Sequence, residues 1–177
     1  EFTTSWEQDA SRRDFTINAI YADSNGRIFD PLNGISDLQN GIIKFIGSPE
    51  QRIKEDYLRI LRYFRFFTQY SKIDYDQNTI RSIKQHVNGL NQISNERIFD
   101  ELKKILALKN VYSLFSHNTS KEIFLNIFPQ FKYSERLKII DALDPKLRDE
   151  YDKNLILALL ILDKTNDHEY FCHKYKA

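Results

Sequence analysis

The sequence predicts an α+β fold that is mainly α, and three observations carry that prediction. Apolar residues recur at helical spacing through most of the chain after Ser48, period-two alternation is confined to the stretch before it, and hydrophobic residues make up 41% of 177, enough to bury a core. The length fits one large domain or two small ones.

Taken in order, Glu1–Thr4 reads as the end of a strand with no initiator Met before it, so the chain is expected to start in mid-domain. Trp6 to Ser11 reads as a polar connector around one aromatic, and Arg12-Arg13-Asp14 is a charge cluster before an extended segment. In FTINAIYA an extended backbone places Phe15, Ile17, Ala19 and Tyr21 on one face. Asn25-Gly26 predicts a turn with positive φ, and Arg27-Ile28-Phe29 the return strand of a hairpin. Asp30-Pro31 closes it, because proline has no amide for a ladder. Gly34 to Leu38 reads as a short helical turn, and Ile42 to Ile46 as one more strand ended by Gly47. This first piece is too small to fold alone and is expected to need the helical part, or a further segment, to complete it.

Helix chemistry begins at Ser48-Pro49-Glu50-Gln51, with a capping hydroxyl, a proline at the first helical position and a glutamine three residues on. Ile80, Ile83, Val87 and Leu90 define one amphipathic face that Gly89 is expected to stop. Ser94 caps a further helix carrying Ile98, Phe99, Leu102, Ile105 and Leu106. Shorter helical segments are expected around Val111–Phe115, Ile123–Phe128, Glu135–Leu143 and Asn154–Leu162.

Between these lies EDYLRILRYFRF, Glu55 to Phe66, the stretch richest in chemistry. Leu58, Ile60, Leu61, Phe64 and Phe67 recur at helical spacing, while Arg59, Arg62 and Arg65 recur every third residue on the same helix. Asp56 and Arg59 are then neighbours on one face, and the plain account of them is a solvated salt bridge worth about 0.2–0.5 kcal/mol. The sharper account uses their chemistry: arginine is a rigid donor fork and an ionised aspartate only accepts. Together they complement a base edge with an amine beside an unprotonated ring nitrogen, which cytosine and adenine have and guanine and uracil lack.

A net charge of +1 gives no global attraction to nucleic acid, so any such binding rests on local clusters such as the arginine stripe. The single cysteine, Cys172, excludes an internal disulfide and suits a reducing compartment, with cytoplasm as the expected location. The longest apolar run, LILALLIL from Leu155 to Leu162, is far short of the roughly 20 residues of a membrane span. His168, Cys172 and His173 fit no structural zinc spacing. Lys103, Lys104, Lys132 and Arg136 could meet phosphates, but a solvated helix face is the simpler account of them.

Read together, RRDFTINAIYA (Arg12–Ala22), DPLNGISDL (Asp30–Leu38), EDYLRILRYFRF (Glu55–Phe66) and ISNERIFDELKKIL (Ile93–Leu106) resemble the class II tRNA nucleotidyltransferase and poly(A) polymerase family. The resemblance is specific over residues 1 to about 108 and loose beyond. It implies residues 1–47 as the end of a nucleotidyltransferase head sheet, 48–108 as a helical neck and 109–177 as part of a helical body. It further implies addition of C, C and A to tRNA 3′ ends from CTP and ATP, with tRNA as partner, or else poly(A) synthesis.

Motif by motif, the resemblance places Arg13 at the triphosphate, with Arg12 beside it among the nucleotide-binding residues, Asp14 at the ribose, and Asp56 and Arg59 at the incoming base, with Arg62 and Arg65 continuing that surface. Asn18 belongs to the first motif; Asp30, Gly34 and Asp37 fall on one associated with a flexible element, for which an ordinary loop is the plain alternative. Glu96 and Arg97 would buttress the template helix. Tyr57 stands where many members have proline. Members also carry, ahead of the motif that begins at Arg12, Gly-Gly-x-Val-Arg-Asp and an Asp-x-Asp pair that holds two magnesium ions; neither precedes Arg12 in this sequence, so no residue is nominated as a metal ligand. The expectation is a nucleotide-selecting piece that needs a catalytic head, which a separate chain could carry, its rival being a non-catalytic nucleotide- or RNA-binding remnant.

Overall fold

The computed structural model describes residues 5–141 and 153–176. The fold is mainly helical, with one antiparallel two-stranded sheet among the described residues, as the sequence predicts. The strand end expected at Glu1–Thr4 and the last part of the helix expected at Glu135–Leu143 lie outside the described residues.

The stretch read as a polar connector is a helix, α1 (Trp6–Arg12). Ser5 caps it by accepting from the Gln8 amide, Glu7 and Asp9 sit in the first turn and Arg12 in the last, all of which favour the helix dipole. Trp6 packs on Tyr21 and Phe29, with ring centroids 5.6 and 5.2 Å away. The following segment is less extended than its alternation suggests: Thr16–Asn18 is a 3-10 turn, and only Tyr21–Ala22 (β1) pairs with Ile28–Phe29 (β2). Gly26 has the positive φ the Asn-Gly turn requires, at 79°. Likewise Ile42–Ile46 forms no strand beyond a single bridge from Phe45 to Phe15.

Helix α2 (Gly34–Asn40) is bound tightly to the 3-10 turn. Asp30 accepts from the amides of Gly34 and Ile35 at 2.7 and 2.9 Å, and the Thr16 hydroxyl donates to Asp37 at 2.6 Å. A Cβ on Gly34 would lie 2.3 Å from the Thr16 carbonyl oxygen, so no larger residue fits without moving backbone. Asp30, Gly34 and Asp37 therefore clamp α2 onto the turn that follows Arg12-Arg13-Asp14.

Helix α3 (Pro49–Glu55) begins with Pro49 at its first position, but Ser48 makes no side-chain capping bond. The long helix expected from Glu55 is interrupted: α3 ends at Glu55, Asp56 is extended at φ −156° and ψ 105°, and α4 runs Arg59–Tyr70. Helix α5 (Gln77–His86) buries Ile80 and Ile83, and a 3-10 turn, Val87–Gln92, carries Val87 and Leu90 on in the same stripe. Gly89 is buried against the Tyr57 ring, which a Cβ would approach to 2.2 Å; it is a packing contact within that turn and not the stop expected.

Ser94 caps α6 (Asn95–Leu106) as predicted, and α6 packs on α4. The remaining α-helices among the described residues are α7 (Ser113–Ser116), α8 (Asn118–Ile127), α9 (Leu137–Asp141), α10 (Lys153–Ile161) and α11 (Asp167–Tyr175). One apolar cluster runs through the whole array. Phe15 packs on Phe45 and edge-on against Phe66 of α4, and Phe45 stacks on Tyr63 of α4, so the first piece buries these aromatic rings against the helices. No helix among the described residues is long and apolar enough to cross a membrane.

Candidate functional site

Of the residues singled out by sequence, Arg13, Asp14, Asp56, Arg59 and Arg62 are linked through α3, the break that follows it and the first turns of α4. Arg13, at the C-cap of α1, reaches back one turn to Asp9 with two bonds of 3.0 and 2.7 Å. Arg12 pairs with the same carboxylate, and the Tyr21 hydroxyl donates to it at 2.8 Å. The Arg13 guanidinium, with the Tyr21 hydroxyl second, holds the Asp9 carboxyl down at about 2. A carbon-detected NMR titration should find that midpoint, and Arg13→Ala should return it toward the ordinary value of about 3.9; an ordinary midpoint in the unaltered chain would show that these contacts do not form in solution.

Asp14 is buried and fully engaged. It accepts from Arg62 Nε at 2.5 Å, from the Asn18 amide at 2.7 Å and from the Phe15 backbone at 3.1 Å. Burial pushes its pKa up, but the Arg62 and Asn18 hydrogen bonds and the Arg62 charge outweigh burial and leave it below the usual aspartate range. A depressed folded-state pKa means that Asp14 contributes stability above its unfolded value, and that this is lost as pH falls through the folded value. Urea stability measured from about pH 5 downward should therefore fall less steeply in Asp14→Asn than in the unaltered chain; parallel slopes would rule the linkage out.

Asp56 and Arg59 are close in sequence but are not paired with each other, because the helix breaks between them. Asp56 accepts from the Leu58 amide at 3.1 Å and from Arg97 at 2.8 Å. Arg59 donates instead to Glu55 at 2.6 Å and to the Arg52 carbonyl at 2.8 Å. The salt bridge weighed from sequence is thus replaced by two others. Asp56 is held in an extended residue, not on a helix face, and its pairing with Arg97 draws α6 to the site.

Farther along α4, Arg65 donates to Glu101 at 2.5 Å and lies over the Phe66 ring with its Cζ 4.1 Å from the centroid. Glu96, beside Arg97, faces outward and pairs with Lys176 at 2.5 Å. The other basic residues considered are engaged as well: Lys103 with Asp100, Lys104 with Glu101, Lys132 with Asp167, and Arg136 with the carbonyls of Leu159 and Leu162.

Sequence reasoning missed Asp9, Tyr21, Arg52 and Glu101. Glu101 had a signal, being a carboxylate inside the apolar stripe of Ile98, Leu102 and Ile105. Asp9 and Arg13 are spaced four apart, and Arg52 and Glu55 three apart, both legible as helical pairs.

Comparison with known proteins supplies independent findings. Residues 1–44 match the family described as Poly A polymerase head domain, and residues 74–135 that described as Probable RNA and SrmB- binding site of polymerase A. The CCA-adding enzyme of Ligilactobacillus salivarius is 36% identical over 180 residues, covering 100% of this chain and 44% of that protein. The mitochondrial CCA tRNA nucleotidyltransferase 1 of Homo sapiens is 50% identical over 119 residues, 64% of this chain and 27% of that protein. Among solved structures, the Bacillus stearothermophilus CCA-adding enzyme in complex with CTP superposes with a TM-score of 0.74 at 26% identity, over 99% of this chain and 44% of that one. The chain spans less than half the length of these relatives.

Proposed function

Because the chain belongs to the class II tRNA nucleotidyltransferase and poly(A) polymerase family, we propose that it is the nucleotide-selecting portion of a CCA-adding enzyme. Such an enzyme extends tRNA 3′ ends with C, C and A from CTP and ATP. In this reading residues 1–47 belong to the head, 48–108 form the neck and 109–177 part of the body, and tRNA is the acceptor that the helices face.

Arg12 and Arg13 meet the triphosphate, and Asp14 the ribose. Asp56 accepts from the base amine while Arg59 donates to the ring nitrogen beside it, a pattern that C and A satisfy and G and U oppose. Before a nucleotide arrives both groups are satisfied by Arg97 and Glu55, so neither carries an unpaired charge while it waits. Arg62 and Arg65 act through the carboxylates they hold, Asp14 and Glu101, and fix α4 under the nucleotide. Asn18, Asp30, Gly34, Asp37, Glu96 and Arg97 are supports. The observation that most favours this reading is the Asp14–Arg62 pair, which fastens the sugar-side motif onto the helix of the base-side motif across 48 residues.

Magnesium is the metal proposed for the complete enzyme. The described residues do not fit it: no group of three or more His, Cys, Asp or Glu among them can hold a metal, and the carboxylates of Asp9 and Asp14 are taken by arginines. No step is therefore assigned through a metal here. The single half-buried Cys172 suits a reducing compartment, and we assign the cytoplasm.

Calorimetric titration of the purified chain with each of the four ribonucleoside triphosphates tests the reading. CTP and ATP are expected to bind on the order of tenfold more tightly than GTP and UTP, the cost of mismatched donors and acceptors. Equal affinity for all four, or none for any, would overturn it.

A further inference from the structure

Arg52 belongs to none of the residues assigned above, yet it is the point where the two halves of the site meet. It lies on α3, with its side chain 11% exposed. Its Nη2 donates to the backbone carbonyl of Arg13, and its Nη1 donates to Glu55 at 2.6 Å. The Arg52 carbonyl in turn accepts from Arg59 Nη1 at 2.8 Å, and Arg59 shares the same Glu55 oxygen at 2.6 Å. One residue thus touches the segment carrying Arg13 and Asp14 with its side chain and holds Arg59 with its backbone.

Its Nε is buried without a hydrogen-bond partner. Burying an unpaired donor is unfavourable, so this placement is not one that surface solvation or salt-bridge strength alone would select. What the arginine offers is reach in two directions from a planar fork, which a lysine ammonium, a single point charge, cannot reproduce.

We propose that Arg52 is a positioning residue for nucleotide selection, fixing the spacing between the triphosphate-side segment at Arg13–Asp14 and the base-side pair Asp56–Arg59. This rests on the nucleotide-binding reading given above. Its consequence is that base and triphosphate are gripped by one rigid surface. Binding of one end then presents the other at high effective concentration, and loosening the spacing weakens the whole nucleotide while sparing its parts.

Two measurements on the full chain test it, using Arg52→Gln and Arg52→Lys. The first needs no nucleotide. The Ile46 amide donates to the Asp14 carbonyl at 3.0 Å and so reports whether that segment stays docked. Its hydrogen exchange should quicken on the order of tenfold or more in both variants, while Leu102 in the core of α6 keeps its protection. Unchanged exchange at Ile46 overturns the proposal, and equal loss at Leu102 does too, since it marks general destabilisation.

The second measurement compares affinities for CTP, cytidine and inorganic tripolyphosphate. Both variants should weaken CTP by about tenfold or more, with cytidine and tripolyphosphate altered by less than about twofold. A tripolyphosphate loss as large as the CTP loss overturns positioning and makes Arg52 a direct phosphate contact. If the variants show the exchange response but the unaltered chain binds no CTP, the nucleotide-binding reading fails, and with it the purpose assigned to Arg52, while the mechanical link between the two segments stands.

Discussion

Replacing Arg65 with alanine is expected to destabilise the chain by about 3–5 kcal/mol, the usual cost of removing one partner from a buried ion pair. Glu101 is 1% exposed and Arg65 15%, so neither side chain can recover much hydration when the other is lost. Lys104, 3.1 Å from the second Glu101 oxygen, remains in the variant and sets the loss toward the lower end. The attraction itself is not the main quantity, because desolvating both charges offsets most of it; the loss arises from the carboxylate stranded in the core between Leu102 and Ile98. The double variant Arg65→Met/Glu101→Leu should then recover most of the stability, since well-packed apolar residues often replace buried pairs at little cost. Urea denaturation of the three proteins decides it. A loss under about 1 kcal/mol for Arg65→Ala, or no recovery in the double variant, would show that a stranded Glu101 carboxylate is not the source of the cost.

Arg65 also illustrates what the sequence could and could not tell. The arginine stripe, the hairpin at Asn25-Gly26, the apolar faces of α5 and α6 and the Ser94 cap were all legible, because each rests on neighbours within four residues. The pairs that assemble the site were not: Asp14–Arg62, Asp56–Arg97 and Arg65–Glu101 join residues 48, 41 and 36 positions apart. Periodicity places a side chain on a face but does not name what that face meets.

The break between α3 and α4 was missed for a different reason. Glu55-Asp56-Tyr57-Leu58 contains no glycine or proline, and its apolar spacing continues a helix. Asp56 nonetheless captures the Leu58 amide with its own carboxylate, a local bond that competes with helix formation and ends α3 one residue earlier. Tyr57, freed from the helix, lies against Gly89, where any side chain would collide with its ring. The converse error occurred at Trp6–Ser11, where composition suggested a connector and the Ser5-x-x-Gln8 spacing, a capping signature, was the better guide.

The break bears directly on the base selection proposed above, and on the second large effect that proposal leads us to expect. In a protein that joins this chain to a family catalytic head, Asp56→Ala removes the acceptor for the base amine and Arg59→Ala the donor to the ring nitrogen. Each leaves a polar group of the base unpaired at about 1–3 kcal/mol, which is a five- to 150-fold loss in kcat/KM for CTP and ATP by transition-state arithmetic of about 1.4 kcal/mol per tenfold. The pattern across nucleotides is the sharper readout. GTP and UTP should lose less than CTP and ATP, because their mismatched groups no longer oppose a fixed partner. Arg62→Ala, which releases Asp14, the residue proposed to meet the ribose, should weaken all four nucleotides alike. Since Asp56 also holds Arg97 and Arg59 also holds Glu55, each variant frees a charged neighbour, and thermal melting must first show that the fold survives. Arg97→Ala supplies the internal control: it strips Asp56 of its resting partner without removing the acceptor, so it should lower kcat/KM through orientation while leaving the preference for C and A over G and U in place. If Asp56→Ala and Arg59→Ala in folded protein instead depress all four nucleotides equally, the two residues serve to join α3, α4 and α6 and the base is read elsewhere.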